Sequence, residues 1–335
     1  MSSSPAGSGP LGSALLAINK TRVFLLVSLI LTWWIAYLIP RYRPVVQEHI
    51  KDRLSSAVQK LPAIKVDWYP NRDPREQFNA SKVALLIEGR PLPHLVPQLL
   101  HMTSVVPPDW RFMFIGTEKS VGAVSRSFAT KYHQANGKLD LVVLPKPWKI
   151  DNKEDVFRLL TDIRFYEEFL PNVEWLLKYE SDSLMCGKSK ESLNDWLDYD
   201  WAGAPRQQGD RFAGNGGLSI RRISTVKRIL GFQSRYNDTD PEDEWFGKRI
   251  TLLPGARVAS GEQEDHFSVE DVYHDDPIGF HVRNGGQDLP DDVWLDEKRR
   301  RKIYEYCPEL AMIMPMKLLR ERCEDEKKEG DNKSG

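Results

Sequence analysis

A chain of 335 residues with 41% hydrophobic and 10% aromatic residues can bury one large core or two modest ones, which excludes a disordered polypeptide. A formal net charge of -1, with no dense Lys/Arg block in the middle of the chain, leaves no electrostatic footprint for nucleic acid, and no nucleic-acid partner is expected. The three cysteines, Cys186, Cys307 and Cys323, lack paired zinc spacing and are too few for a disulfide scaffold; a Cys307–Cys323 bridge stays open, and the redox compartment is not fixed.

Met1 to Gly12 is rich in Ser, Gly and Pro and reads as a disordered tail. Val23 to Ile39 is uncharged and overwhelmingly apolar, and at about 1.5 Å per residue it spans a thin bilayer of roughly 27 Å. Trp33, Trp34, Tyr37 and Pro40 stand where the small residues of a cleavage site belong, which favours an uncleaved anchor over a signal peptide; a buried soluble helix is the other rival. Lys20 and Arg22 balance Arg41 and Arg43, so flanking charge does not orient the span. Pro44 to Leu61 carries Val45, Val46, Ile50, Leu54, Ala57, Val58 and Leu61 at helical spacing and predicts an amphipathic stem helix, followed by a linker broken by Pro62, Pro70 and Pro74. The expected organisation is a tail over 1–22, an anchor over 23–39, a stem and linker over 40–80, a folded domain over 81–322 and a charged tail over 323–335.

Within the domain, strands are predicted from Lys82 to Glu88, Trp110 to Gly116, Leu139 to Leu144 and Val173 to Tyr179, with helices over His94–Ser104, Ser120–Tyr132 and Val156–Leu170. That alternation predicts an α/β domain with a mainly parallel sheet and helices on both faces. In such sheets ligands bind beyond the carboxyl ends of the strands, where Arg90, Gly116 and the carboxylates Glu180 and Asp182 fall. Residues two apart in extended backbone leave the same face, so Glu180 and Asp182 can converge on one point, and two anions that close call for a cation between them. A solvated turn after a strand explains the pair equally well.

Phe212 to Arg222 enters a short strand through Gly214-Asn215-Gly216-Gly217, which suits close backbone approach to a ligand, positive φ, or simply a hairpin turn. Ile223–Leu230 reads as a short helix. Asp240 to Phe246 reads as a helix start with Asp240 as cap and Pro241 in the first turn; its acids Glu242 and Asp243 need no other explanation than the helix dipole. His281, alone on a short apolar stretch, reads as structural by itself.

Taken together, Val83 to His94, Glu180-Ser181-Asp182, Trp201 to Pro205, Gly214 to Ile220, Pro241 to Phe246 and Gly279-Phe280-His281 resemble the fungal DUF5672 family of glycosyltransferase-like proteins and, more distantly, the GT-A glycosyltransferases. The resemblance runs from about Ser81 to Val282 and departs from the Asp-x-Asp pattern at Glu180. It implies a GT-A-like, Rossmann-like fold and a metal-assisted, inverting transfer of a sugar from a nucleotide-sugar donor to a glycan, glycoprotein or glycolipid acceptor. The metal ligands implied are Glu180, Asp182 and His281, holding Mn2+ or, failing that, Mg2+. Glu88, Arg90, Asn215, Gly216 and Gly217 are implied in donor or acceptor binding, and Asp243, with Glu242 second, as the base. The implied layout is a single-pass type II protein of the Golgi or endoplasmic reticulum membrane with a luminal catalytic domain, in which Asn79 and Asn237 open glycosylation sequons. Two other functions fit the same carboxylates: a non-catalytic membrane-anchored scaffold, and a glycoside hydrolase pairing Glu180 or Asp182 with Asp243.

Overall fold

The computed structural model describes residues 20–60, 73–209, 213–235 and 240–314. The expectations for the N-terminal tail, Leu61, Pro62, Pro70, Phe212, Asn237, Cys323 and the charged C-terminal tail lie outside these residues.

The chain divides into two units, Met1–Tyr69 and Pro70–Gly335. In the first, α1 (Lys20–Lys60) is a single helix of 41 residues that runs through both Pro40 and Pro44. The anchor and stem expected as separate segments are therefore continuous. Each proline removes one N–H and the bond to the preceding turn, but the long apolar and straight-chain stretches on either side keep the rest of the ladder. The stretch Val23–Arg53 is long and apolar enough to cross a membrane, with mean hydropathy 2.2 in its most apolar window, none of which is buried.

The second unit begins its sheet with β1 (Lys82–Glu88), then α2 (Leu95–Val105), β2 (Arg111–Gly116), α3 (Glu118–Ser125), α4 (Phe128–Ala135), β3 (Leu139–Val143), α5 (Lys153–Leu160), α6 (Ile163–Glu168) and β4 (Trp175–Tyr179). The helix expected over 120–132 is split into α3 and α4, and the one over 156–170 into α5 and α6. Polar side chains make both breaks. Thr130 Oγ1 donates to Val124 O at 2.7 Å across the first; at the second Thr161 Oγ1 donates to Phe157 O at 2.6 Å, and Asp162 accepts from Arg164 N at 3.0 Å to start α6.

After β4 come β5 (Ser183–Met185), β6 (Trp201–Ala204), β7 (Asn215–Arg222), α7 (Ile223–Leu230), α8 (Glu242–Ile250), α9 (Glu262–Phe267), β8 (Ser268–Val269) and β9 (Gly279–His281). The main sheet has the order β3-β2-β1-β4-β7-β6, parallel across β3, β2, β1 and β4 and antiparallel from β4 onward. This is the mainly parallel mixed α/β sheet flanked by helices that the alternation predicts. Its strands are apolar on both faces: Ala84, Leu86, Phe112, Phe114 and Leu177 pack into one core, and Val83, Leu85, Ile115 and Leu176 into the other.

Strand order decides where a ligand can sit. The chain builds outward from β1 to β3, then crosses back to lay β4 on the opposite side of β1, so the connections diverge between β1 and β4 and open a crevice at their carboxyl ends. A second sheet, β5-β9-β8, pairs Ser183 with His281 and so brings β9 back beside the turn that follows β4.

Cys307 pairs with Cys186, across 121 residues of sequence, and not with Cys323. The bond joins the residue after β5 to the end of the helix Glu297–Tyr306. The start of α8 also differs from expectation. Pro241 is its N-cap, and Asp240 instead meets Lys248 Nζ at 2.7 Å, because a proline at the cap position leaves Asp240 outside the turn whose N–H groups it would bond.

Candidate metal centre

Glu180, Asp182 and His281 come together. Their ligand atoms all lie within 4.8 Å of one another, with His281 Nε2 3.4 Å from Asp182 Oδ1 and 3.7 Å from Glu180 Oε2. Three strands deliver them. β4 ends at Tyr179 and releases Glu180 and Asp182, β9 places His281 opposite Ser183, and β7 receives Glu180 N on Gly217 O at 2.9 Å. Val282 N donates to Asp182 O at 2.9 Å, which fixes the strand carrying the histidine against the turn carrying the acids.

The turn itself is held from behind. Gln98 on α2 is fully buried and its Nε2 donates to Glu180 O at 2.8 Å and to Ser183 O at 2.6 Å, while His94 Nε2 lies 2.9 Å from Ser181 O. Bonds from α2, β7 and the residue after β9 thus hold the short acidic turn.

The electrostatics suit a cation. Desolvation alone would raise the Glu180 carboxyl, but Lys178 and the nearby His281 outweigh it and hold the group below its ordinary range. Desolvation opposes Asp182 in the same way and is again overcome, here by His281 and by backbone N–H groups. Burial would lower His281, yet the carboxylates Asp182, Glu270 and Glu180 raise it to about 10, so without a cation the ring carries a proton that it must release in order to ligate one. Asp182 Oδ1 is buried without a hydrogen-bond partner, an acceptor aimed where a metal would satisfy it. Two carboxylates and an imidazole are a fitting donor set for Mn2+.

Sequence reasoning missed several participants. Lys178, with only 5% of its side chain exposed, makes a close ion pair with Glu180 Oε1. Glu270, 1% exposed, lies 3.2 Å from His281 Nδ1 through Oε2, and its other oxygen receives Arg283 Nε. A lysine inside an apolar strand, two residues before the first acid, is a signal that was available; Glu270 follows a two-residue strand and had none.

The other expected site residues divide. Glu88 stands at the end of β1, beside the acidic turn, where Oε1 accepts from Arg90 N at 2.8 Å and Nε at 2.9 Å, and Oε2 from Arg90 Nη2 and Ser181 Oγ, each at 2.8 Å. Its oxygens are thereby engaged within the protein: burial would raise the group, but Arg90 and Ser181 keep it lowered. Arg90 reaches the rim with 72% of its side chain exposed.

The glycine run explains itself by packing as much as by a ligand. Only Gly214 has positive φ, at 69°, while Gly216 and Gly217 are strand residues. A Cβ at Gly217 would stand 2.2 Å from His281 Nδ1, and one at Gly216 would stand 2.6 Å from Arg221 Nη2 and 3.0 Å from Asp243 Cβ. Asn215 Oδ1 accepts from Gly217 N at 2.7 Å. Gly217→Ala is therefore expected to displace the imidazole and weaken Mn2+ binding at least tenfold with the fold retained, a loss on the scale of an outer-shell change. Calorimetric titration with Mn2+ checks it, and wild-type affinity in the variant would refute the packing argument.

Of the two acids at the start of α8, Glu242 is 1% exposed and forms a close ion pair with the fully buried Arg221, whose guanidinium lies 4.0 Å over Trp201. A carboxylate so enclosed does not meet an incoming hydroxyl. Asp243 Oδ2 accepts from Gly216 N at 2.9 Å and lies 3.5 Å from Arg206 Nη2, and it lines a cavity of about 240 Å³ with Arg206, Gly214, Glu244 and Lys248. Since successive strand residues face opposite ways, Asp243 and His281 flank the start of β7 from its two sides.

The family model described as "Protein of unknown function (DUF5672)" matches residues 138–281, which include Glu180, Asp182, Asp243, Glu270 and His281. The match begins after the Val83–His94 opening, so Glu88 and Arg90 stand outside it. No curated protein sequence matches the chain significantly.

The chain is similar in structure to a glycosyltransferase involved in glycosylation of the major capsid of PBCV-1, at 13% identity and TM-score 0.36, covering 61% of this chain and 94% of that one. It is also similar to the mannosyltransferase PcManGT from Pyrobaculum calidifontis in complex with GDP-Man and Mn2+, at 13% identity and TM-score 0.36, with 57% and 58% of the two chains covered. A third likeness is to the apo form of the glycosyltransferase GlyE of Streptococcus pneumoniae TIGR4, at 11% identity and TM-score 0.43, with 72% and 64% covered. Neither donor nor metal follows for this chain from likenesses of that size.

Proposed function

We propose that this protein is a membrane-anchored glycosyltransferase that moves a sugar from a nucleotide-sugar donor to a glycan, glycoprotein or glycolipid acceptor. One observation carries the reading: the Glu180, Asp182 and His281 ligand atoms gather within 4.8 Å of one another just past the carboxyl end of β4, against the start of β7. A departing nucleoside diphosphate gathers negative charge on its oxygens, and a site at that rim must neutralise it. A divalent metal held by Asp182, Glu180 and His281 supplies Lewis acidity there, Mn2+ before Mg2+. Arg90, at the exposed end of β1, adds a cation toward the diphosphate.

A donor sugar bound at the start of β7 would meet Asn215, Gly216 and Gly217. We assign Asp243 to accept the proton of the attacking hydroxyl, which makes the displacement inverting. The ion pair with Arg221 reserves Glu242 for the fold.

The anchor reading rests on α1, where all but one of the large apolar side chains from Val23 to Ile50 are exposed. Luminal placement of the second unit in the Golgi or endoplasmic reticulum is supported by the Cys186–Cys307 disulfide, which suits an oxidising compartment, and by the exposed Asn79 of the first sequon.

The test is to incubate the full-length protein in detergent with a panel of nucleotide sugars, with and without Mn2+, and to measure released nucleotide. Turnover of one donor that disappears on chelation is expected. Absence of binding to every donor would sink the proposal, and turnover undiminished by thorough chelation would remove the metal from it.

A further inference from the structure

Glu270 occupies an unusual position for an acid that ligates nothing and caps nothing. It follows β8 immediately, and because Val269 pairs with Phe280, the parallel register brings Glu270 alongside His281. It is 1% exposed, and its Oε2 lies 3.2 Å from His281 Nδ1. Both atoms are buried, their contact is an ion-pair approach, and neither has a hydrogen-bond partner. On the far side of the same ring, Nε2 faces Asp182 at 3.4 Å and Glu180 at 3.7 Å. The imidazole is thus flanked by carboxylates at both nitrogens, one inside the candidate centre and one behind it.

An isolated buried carboxylate is costly, and the chain offsets this one locally. Arg283, two residues beyond His281, turns back so that Nε meets Glu270 Oε1, while Nη2 meets Asp271. The arginine neutralises Glu270 through one oxygen and leaves the other directed at the ring. Gly217 completes the slot, since a Cβ there would fall 2.2 Å from Nδ1.

Resting on the metal-centre reading above, we infer that Glu270 is the positioning residue of that centre: its carboxylate fixes the His281 ring from Nδ1, with Arg283 as its counter-ion, so that Nε2 is the nitrogen presented to a divalent cation beside Asp182. A carboxylate behind a ligating histidine sets the tautomer and orientation of the ring and makes its other nitrogen a better donor, and losing it typically costs about 10–100-fold in metal affinity. Glu270 touches neither the cation nor a substrate, so its effect passes entirely through His281.

The experiment uses the full chain in detergent with Mn2+ as probe. Electron paramagnetic resonance counts free Mn2+, and spin-echo modulation detects an imidazole nitrogen on the bound ion. The wild type is expected to bind Mn2+ with that nitrogen signature. Glu270→Leu should weaken binding about 10–100-fold and lose the signature, whereas Glu270→Gln, which can still accept from Nδ1–H, should retain the signature and part of the affinity. If Glu270→Leu does not fold, Arg283→Gln decides, because that side chain is 41% exposed and its loss leaves no enclosed cavity; weaker binding with a diminished nitrogen signal is expected. A folded Glu270→Leu variant, or Arg283→Gln in its place, with wild-type affinity and intact nitrogen coupling would overturn the inference and leave the metal centre standing. A wild type that binds no Mn2+ would instead remove the metal centre itself, and the inference with it.

Discussion

Asp182→Asn is expected to abolish metal-dependent transfer, lowering turnover by at least about 10²–10³-fold, the loss seen when a group stabilising transition-state charge is removed. The reason lies in what each acid is bonded to. Glu180 already faces the buried Lys178, so part of its charge is spent within the protein. Asp182 Oδ1 is buried with no hydrogen-bond partner, and its nearest cationic neighbour is the His281 ring at 3.4 Å. Asp182 is thus the acid whose charge is most available to a cation, and it should matter more than Glu180. Asparagine keeps the size of the side chain and removes an anion from a crowded group of carboxylates, so the fold is expected to survive. Parallel measurement of released nucleotide, Mn2+ affinity and thermal melting separates the cases: unchanged turnover in a folded variant would remove Asp182 from the chemistry, whereas unaffected cellular function of the variant with no turnover would favour a scaffold.

Glu242→Ala is expected to act on stability, not on the chemical step. It leaves Arg221, which is fully buried, with its charge uncompensated, and breaking such a pair costs about 3–5 kcal/mol. For a domain of this size that lowers Tm by roughly 6–20 °C. The remaining partners of Arg221, the Ser219 hydroxyl at 3.0 Å and the Trp201 face at 4.0 Å, do not neutralise it. Replacing both charges together, Arg221→Met with Glu242→Leu, should recover most of the loss, since the pair exchanges for packed apolar groups. Asp243→Asn makes the contrast: little change in Tm, and a turnover loss of about 10²–10⁴-fold for a group that takes a proton. Calorimetry and nucleotide-release rates on the same preparations check both; a Glu242→Ala protein that melts like the wild type but does not turn over would exchange the two roles.

Much of the architecture was legible along the chain because it is encoded locally. Lys82 to Ile87, Arg111 to Ile115 and Trp175 to Tyr179 are short apolar runs of strand length, separated by stretches of helical pattern, and buried parallel strands have that signature. Helix breaks were less legible. Thr130, Thr161 and Asp162 end or restart helices through single side-chain hydrogen bonds, which compete with an otherwise continuous pattern and leave little trace in it. Pro40 and Pro44 misled in the other direction: two prolines promise a boundary, yet the helix continues because strong formers on both sides outweigh two missing bonds.

The acids of the site were visible in the residues themselves; of their partners only His281 was, and only through the family resemblance. Glu180 and Asp182 stand out as carboxylates at the end of a buried strand, a local fact. His281 owes its place to the antiparallel pairing of Ser183 with His281, Cys307 owes its disulfide to Cys186 across 121 residues, and Glu270 reaches the imidazole through a two-residue parallel strand. Pairings between distant segments depend on which edges are open once the rest of the sheet has formed, and no periodicity records that.

By itself, then, the order of residues determined the class of sheet, the apolar N-terminal span and the acidic turn that follows β4, since each follows from hydrophobic spacing within a few turns or strands. Only the tertiary structure decided that Glu242 is locked to Arg221 while Asp243 lines a cavity, that Gly217 makes room for an imidazole, and that Glu180, Asp182 and His281 meet. Those outcomes rest on side chains enclosed by elements far apart in the chain, where close packing and the cost of an unpaired buried charge leave few other arrangements.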